Sequence, residues 1–160
     1  MTSIVQLFAV GAVVIGAAAG AVGVMNKDIA DFAVPEGPWQ RGSALDGQVF
    51  STIDRIVGSD ESLRDQLHFV DGRFQSTMCQ EYCDFGWSEY RTKQIEGSLH
   101  FTVTTRCPDA PHTVVWYGTV DGAAIRFDGT WTTRRWYWTH QIQFSGQGST
   151  EAPVDPVLDS

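Results

Sequence analysis

The chain has 160 residues, a formal net charge of −8 at pH 7 and three cysteines. The chain has eleven basic and nineteen acidic side chains, and the basic ones form no stripe that could bind nucleic acid. A chain with this net negative charge is also not attracted to anionic lipid. Residues 39–148 carry thirteen acids and ten bases, so most of the excess negative charge lies in the flanking segments.

An apolar run over residues 4–25 opens the chain and contains Gln6 as its only polar side chain. A helix rises about 1.5 Å per residue, so a run of this length crosses the roughly 30 Å hydrocarbon core of a bilayer. The alternative is a cleaved secretory signal with its cleavage site among the small residues 17–21. The length of the run and the absence of Lys or Arg before it favour retention. We therefore predict a transmembrane helix or uncleaved signal anchor over residues 1–25.

Two glycines in this run have the spacing of a helix-packing motif. Gly16 and Gly20 form a GxxxG step, which lets a second helix approach closely because no Cβ atoms hold the backbones apart. The alternative is ordinary Ala and Gly filler. The spacing predicts a membrane-protein partner, or a second copy of the chain, packed against the N-terminal helix.

The charges beside the run indicate its orientation in the membrane. Lys27 is the only basic residue near the run, and Asp28, Asp31 and Glu36 follow it. A cytoplasmic flank normally carries an excess of Lys and Arg. We therefore expect a single-pass protein of the cytoplasmic (inner) membrane, N-in, with its C-terminal domain in the periplasm or outside the cell.

The rest of the chain divides into three parts. Residues 26–44 are rich in Pro and Gly and predict an extended linker, and residues 147–160 predict a flexible acidic tail. Residues 45–146 lie between them and are numerous enough for one domain with its own core.

Alternating apolar and polar residues predict β-structure throughout this domain. Asp71 with Gly72, and Asp121 with Gly122, supply the dipeptide favoured in two-residue hairpins. Ser59 could cap a short helix over residues 60–66, the only helical candidate. The predicted strands cover residues 48–55, 67–70, 73–78, 88–94, 98–106, 113–120, 124–132 and 135–145.

Eight consecutive antiparallel strands after one transmembrane helix predict an all-β, up-and-down barrel, because closure removes exposed strand edges. A last hairpin turn at Thr133 and Arg134 would place Trp131 opposite Trp136. Alternation directs fifteen side chains inward: Leu67, Phe69, Phe74, Leu99, Phe101, Val103, Val114, Trp116, Ile125, Phe127, Trp131, Trp136, Trp138, Ile142 and Phe144.

The strand count, the meander order, and the run over residues 116–122 with the later Trp131 resemble the calycin group, the lipocalins and their avidin-like relatives. The resemblance covers about residues 44–146. It implies a lipocalin-like barrel with a small-molecule cavity at one mouth, and it carries over no specific ligand residues.

All three cysteines are expected at the end of the barrel opposite both termini, where the long connections lie. Cys83 comes nearly opposite Cys107, within the Cα separation of about 4.4 to 6.8 Å that a disulfide needs. Pairing of Cys79 with Cys83 is one alternative. A zinc site built from the three cysteines and His112 is the other, and its loose ligand spacing leads us to predict no metal.

His140 has the same strand parity as Trp136 and Trp138, which predicts that it enters the barrel. There it would form a possible ligand pocket with Trp116, Trp131, Trp136 and Trp138. The alternative is a buried histidine bonded to a neighbouring hydroxyl or carbonyl group.

No sequence motif indicates catalysis or a cofactor. Asp54, Asp71, Glu89 and Asp128 are predicted on turns or outward strand positions, so no carboxylate pair is expected in a dry pocket. Two functions remain: an accessory or interaction subunit of a membrane protein assembly, and a tethered module that binds a small apolar ligand. An eight-stranded barrel is just wide enough for its side chains or one small ligand. The many inward aromatic residues favour the interaction subunit.

Overall fold

The computed structural model describes residues 33–150. The predicted anchor with Gly16 and Gly20, and residues 151–160, lie outside the described residues. Within residues 33–150, no helix combines the length and the apolar character needed to cross a membrane. The elements are β1 Gln40–Arg41, β2 Val49–Ile56, β3 Ser62–Val70, β4 Arg73–Ser76, α1 Thr77–Cys83, β5 Ser88–Ile95, β6 Ser98–Arg106, β7 His112–Asp121, β8 Ala124–Arg135 and β9 Trp138–Ser149.

Eight strands, β2 to β9, form a ring in which each strand is antiparallel to the next one along the chain. The ring closes where β9 pairs with β2, and β1 pairs with β5. Asp71 and Gly72 both have positive φ, as a tight two-residue hairpin turn requires. The predicted class, a mostly antiparallel β-sheet in meander order, is confirmed.

Two predictions about the position of a helix were wrong. Residues 60–66 are predicted as a helical turn, but β3 begins at Ser62 and pairs along β2, with Asp65 opposite Thr52. Pairing with a neighbouring strand outweighs the weak local helical signal here. Conversely, the strand predicted to Met78 ends at Ser76, whose side chain accepts a hydrogen bond from the Cys79 N–H and caps α1.

The last hairpin turn lies three residues later than predicted. Arg135 pairs with Trp138, so Trp131 faces Ile142 rather than Trp136. Strand β8 continues because β7 supports it: His112 pairs with Thr133, and the Arg134 N–H donates to the Pro111 carbonyl group. The hairpin consequently extends past the last residue of β2.

Aromatic rings fill the interior of the ring. Phe69 makes edge contacts with four other rings at centroid distances of 5.0 to 6.0 Å, those of Phe50, Phe74, Tyr90 and Phe101. Trp116 lies 5.0 to 5.4 Å from a second set, Phe74, Phe127 and Phe144. A Cβ atom at Gly129 would lie 2.1 Å from the Phe144 ring, so this ring packs directly on bare backbone. The interior is therefore a packed core.

The two ends of the ring differ. The near end carries the start of β2, the end of β9 and the short turns after β3, β5 and β7. The far end carries α1, the β6–β7 connection, the β8–β9 turn and all three cysteines, as predicted. Residues on far-end connections are the natural candidates for function.

Candidate interaction surface

Three consecutive aromatic residues at the β8–β9 turn form what we call the aromatic tip, Trp136 to Trp138. Their side chains are 92%, 57% and 36% exposed in chain order. The rings touch mainly one another, with centroid distances of 4.9 Å between Trp136 and Tyr137 and 6.2 Å between Tyr137 and Trp138. A contiguous exposed aromatic group of this kind usually marks an interaction site.

The strand segment that carries the aromatic tip is basic, whereas the chain as a whole is acidic. Residues 129–150 contain no Asp or Glu, and they include Arg134, Arg135 and His140. Exposed Arg135, which precedes the tip, therefore adds a positive charge to its apolar surface, whereas the chain as a whole has a net charge of −8.

Helix α1 supports the base of this hairpin. Trp131 packs against Tyr82, Phe85 and His112 at centroid distances of 4.9, 5.3 and 5.4 Å. The His112 ring nitrogen Nδ1 lies 2.9 Å from the Thr133 hydroxyl oxygen. Burial, and then the charge of Arg135, lower the pKa of His112, which favours the neutral imidazole in this contact.

A disulfide between Cys83 and Cys107, with the Cα atoms 5.7 Å apart, ties the end of α1 to the end of β6. This is the predicted pairing. The alternative zinc set is not formed, since two of its cysteines are bonded to each other. Within residues 33–150, no three His, Cys, Asp or Glu side chains are grouped to hold a metal ion.

The five residues of the predicted ligand pocket do not come together. Trp116 lies in the core, and Trp131 lies beneath Tyr82 at the far end. Trp136, Trp138 and His140 were predicted to point inward and are exposed. They have the same strand parity as buried Phe144, but the pairing of β9 with β2 ends at Phe144. Beyond this point these three side chains stay exposed among the described residues.

The ring interior contains a buried carboxylate that was predicted to face outward. Asp54 is 2% exposed, and its Oδ1 accepts a hydrogen bond of 2.8 Å from the Thr52 hydroxyl. Its Oδ2 has no hydrogen-bond partner within residues 33–150. Burial raises the pKa of Asp54 to about 7, the hydrogen bond from Thr52 opposes this, and nearby Asp65 adds to it. Strand parity could have predicted this burial, because Phe50, Thr52 and Asp54 occupy every second position of β2 and all face inward.

Asp65 positions α1. Its Oδ2 accepts a 2.5 Å hydrogen bond from the Ser76 hydroxyl, and its Oδ1 accepts from the backbone N–H groups of Met78 and Gln66 at 2.9 and 2.7 Å. Burial raises the pKa of Asp65, and these bonds oppose the rise. A cleft of about 290 Å³ between β2, β3 and α1 reaches Asp65 and Thr52. Because both Asp65 oxygens already accept bonds, the geometry assigns this carboxylate a structural role.

The third cysteine is expected to be unreactive. Cys79 is 1% exposed, and burial raises the pKa of its thiol to about 12, so almost no thiolate forms at neutral pH. Titration of the non-reduced protein with a colorimetric thiol reagent should find no reactive group in the folded chain and one after denaturation. A rapidly reacting thiol in the folded protein would contradict this arrangement.

A second surface feature lies on the outer wall of the ring. We call it the outer groove: a shallow depression of about 850 Å³ across β2, β9, β8 and β7. Exposed polar side chains project into it from adjacent strands, namely Arg55, Ser145, Gln147, Arg126 and Asp128. The groove is separate from the aromatic tip and closer to the near end.

The described residues thus present a filled interior, a basic aromatic tip and an outer groove. Comparison with protein-family models, with curated proteins and with solved structures finds no match for this chain.

Proposed function

We propose that this protein is a non-catalytic accessory subunit, held at a membrane by its N-terminal helix, that binds a partner protein outside the cytoplasm. We further propose that the ring is a lipocalin-like up-and-down barrel. The helix would pack beside a membrane protein through Gly16 and Gly20, and the barrel would cover or brace the extracytoplasmic face of the assembly.

The filled interior is the observation that carries this proposal. Phe69 and Trp116, both fully buried, each contact several other rings, and these contacts occupy the space in which a lipocalin would hold its ligand. Recognition is therefore expected at the surface. The alternative is a tethered module with a small apolar ligand inside the barrel. It is less well supported, because the residues of the aromatic pocket predicted around His140 do not come together.

The aromatic tip is the surface best suited to a protein partner. Trp, Tyr and Arg are the residues that contribute most often to binding energy at protein interfaces. Here two Trp residues, one Tyr and Arg135 are consecutive, and α1 and the disulfide support their base. The chain enters the ring from the near end, so the tip would point away from the membrane that holds the anchor.

A crosslinking experiment tests this proposal in native membranes. We would place a photoreactive amino acid at Tyr137 of the full-length chain, and in a control protein at Glu96, an exposed residue of a near-end turn. We expect one discrete protein adduct from Tyr137 and none from Glu96. Equal labelling at the two positions would contradict the proposal.

Matched double variants give the quantitative test. Trp136→Ser with Trp138→Ser should reduce the recovered partner at least about tenfold, because truncation of central aromatic residues costs about 2 kcal/mol or more. Val49→Ser with Val70→Ser removes exposed apolar side chains at the near end and should leave recovery unchanged. The proposal fails if the tip variant retains its partner, or if the two variants lose it equally.

A further inference from the structure

Two arginines, Arg55 on β2 and Arg126 on β8, line the outer groove on either side of β9. Across β2, β9 and β8, Arg55 is level with Ser145 and Asp128, whereas Ile53 is level with Gln147 and Arg126. These residues face outward because their neighbours in each strand, such as Asp54, Phe144 and Phe127, are buried. Arg55 and Arg126 therefore project from the same outer face, one on each side of β9.

The positive charges in the groove are poorly compensated. Both arginines are exposed, and within residues 33–150 neither forms an ion pair. Asp128 is the single acid among the groove residues. The groove has an excess of guanidinium groups on a chain of net charge −8.

We propose that the outer groove binds an extended, acidic segment of a partner protein, with carboxylates on Arg55 and Arg126. This proposal rests on the proposed interaction function and assigns it a second surface with a defined partner chemistry. Guanidinium groups bind carboxylates through paired hydrogen bonds. The Gln147 amide and the Ser145 hydroxyl, which lie between the two arginines, can donate to the backbone of the bound segment.

The spacing of the two arginines favours an extended polypeptide. Their Cα atoms are two strands apart and offset by two residues, which corresponds to about 12 Å. In an extended chain, side chains four residues apart point to the same side and are separated by about 13 Å. Carboxylates at every fourth position would therefore meet both guanidinium groups without bending the segment.

The chain's own C-terminal sequence has this chemistry and is a competitor in the test. Glu151, Asp155 and Asp159 recur at every fourth position. They follow Thr150, whose N–H donates to the Ala123 carbonyl group beside the groove. A second protein lacking residues 151–160 therefore accompanies the full-length chain in the experiment.

The test measures binding of a fluorescein-labelled ten-residue peptide, with carboxylates at every fourth position in a Pro and Val background, to full-length protein in detergent. Arg55→Gln with Arg126→Gln should weaken binding at least about tenfold, and Asp128→Asn should strengthen it. The control, Arg73→Gln with Arg91→Gln, changes the net charge equally at exposed positions outside the groove and the aromatic tip, and should alter affinity by less than about threefold. An otherwise identical peptide with amides in place of carboxylates should not bind.

Each outcome is decisive. The proposal is supported if the peptide binds the full-length chain, or binds only the form lacking residues 151–160, and if this binding depends on Arg55 and Arg126. Absence of binding to both forms, or an equal loss in the Arg73 and Arg91 control, overturns it. The proposal is also overturned if the protein binds heparin, or vesicles of phosphatidylglycerol, through the same two arginines and does not bind the peptide. A surviving crosslink at Tyr137 would then show that the interaction function stands without the groove.

Discussion

Replacement of Trp116 with alanine is expected to lower the free energy of unfolding by about 3 to 5 kcal/mol. The Trp116 indole is fully buried, contacts three phenylalanine rings and donates a 3.2 Å hydrogen bond from Nε1 to the Thr105 hydroxyl. Truncation would remove these contacts and leave a cavity that the ring of strands can close only in part. Urea denaturation followed by circular dichroism measures the change.

Trp136→Ala is the matched control, because the same side chain is removed from a position that is 92% exposed. Its effect should stay within about 0.5 kcal/mol. Added indole should raise the Tm of Trp116→Ala by refilling its cavity, and should leave the Tm of the unmodified protein unchanged. An equal rise in the unmodified protein would reveal an existing apolar cavity and would favour the ligand-binding alternative.

The pH dependence of stability should report on Asp54. Its pKa is raised to about 7 in the folded protein, so between pH 4 and pH 7 the folded state binds more protons than the unfolded state. Stability is therefore highest when Asp54 is protonated and falls as the pH rises. From this group alone we expect a loss of about 3 kcal/mol between pH 5 and pH 8, and Asp65, whose pKa is also raised, acts in the same direction.

Asp54→Asn keeps the shape of the side chain and removes its titration. This variant should be more stable than the unmodified protein at pH 8 and should lose most of the decline between pH 5 and pH 8. The exposed Asp128→Asn is the control and should retain the full decline. The buried position of Asp54 would be refuted if Asp54→Asn and Asp128→Asn gave the same stability profile.

These two experiments also bear on function. The proposed interaction role depends on an interior without free space, which the Trp116 variant examines directly. The single unpartnered oxygen of Asp54 lies within that interior. If the chain behaves as expected in both experiments, the proposed recognition would take place on the outer surface, chiefly at the aromatic tip and the outer groove.

Patterns of local origin were predictable. The Asp71 and Gly72 turn follows from two residues that tolerate positive φ, and strand β6 has the predicted bounds because alternation is uninterrupted there. The Cys83 and Cys107 pairing followed once the adjoining strands were placed in order. Each of these conclusions needed only neighbours in sequence or the antiparallel order.

The features of the candidate site were decided at longer range. The position of the β8–β9 turn depended on support from β7, and it placed Trp136, Trp138 and His140 outside the ring rather than inside it. The burial of Asp54 and the start of β3 depended on pairing between β2 and β3.

The sequence by itself determined the β-rich, antiparallel class, the order of the strands and the end at which the cysteines lie, because hairpin turns and alternation are local properties. Only the tertiary structure decided where β8 turns, which carboxylate is buried and which aromatic residues meet solvent. Those outcomes depend on how far along its length each strand is paired with its neighbours. The alternation of side chains along one strand does not reveal where the pairing with the next strand ends.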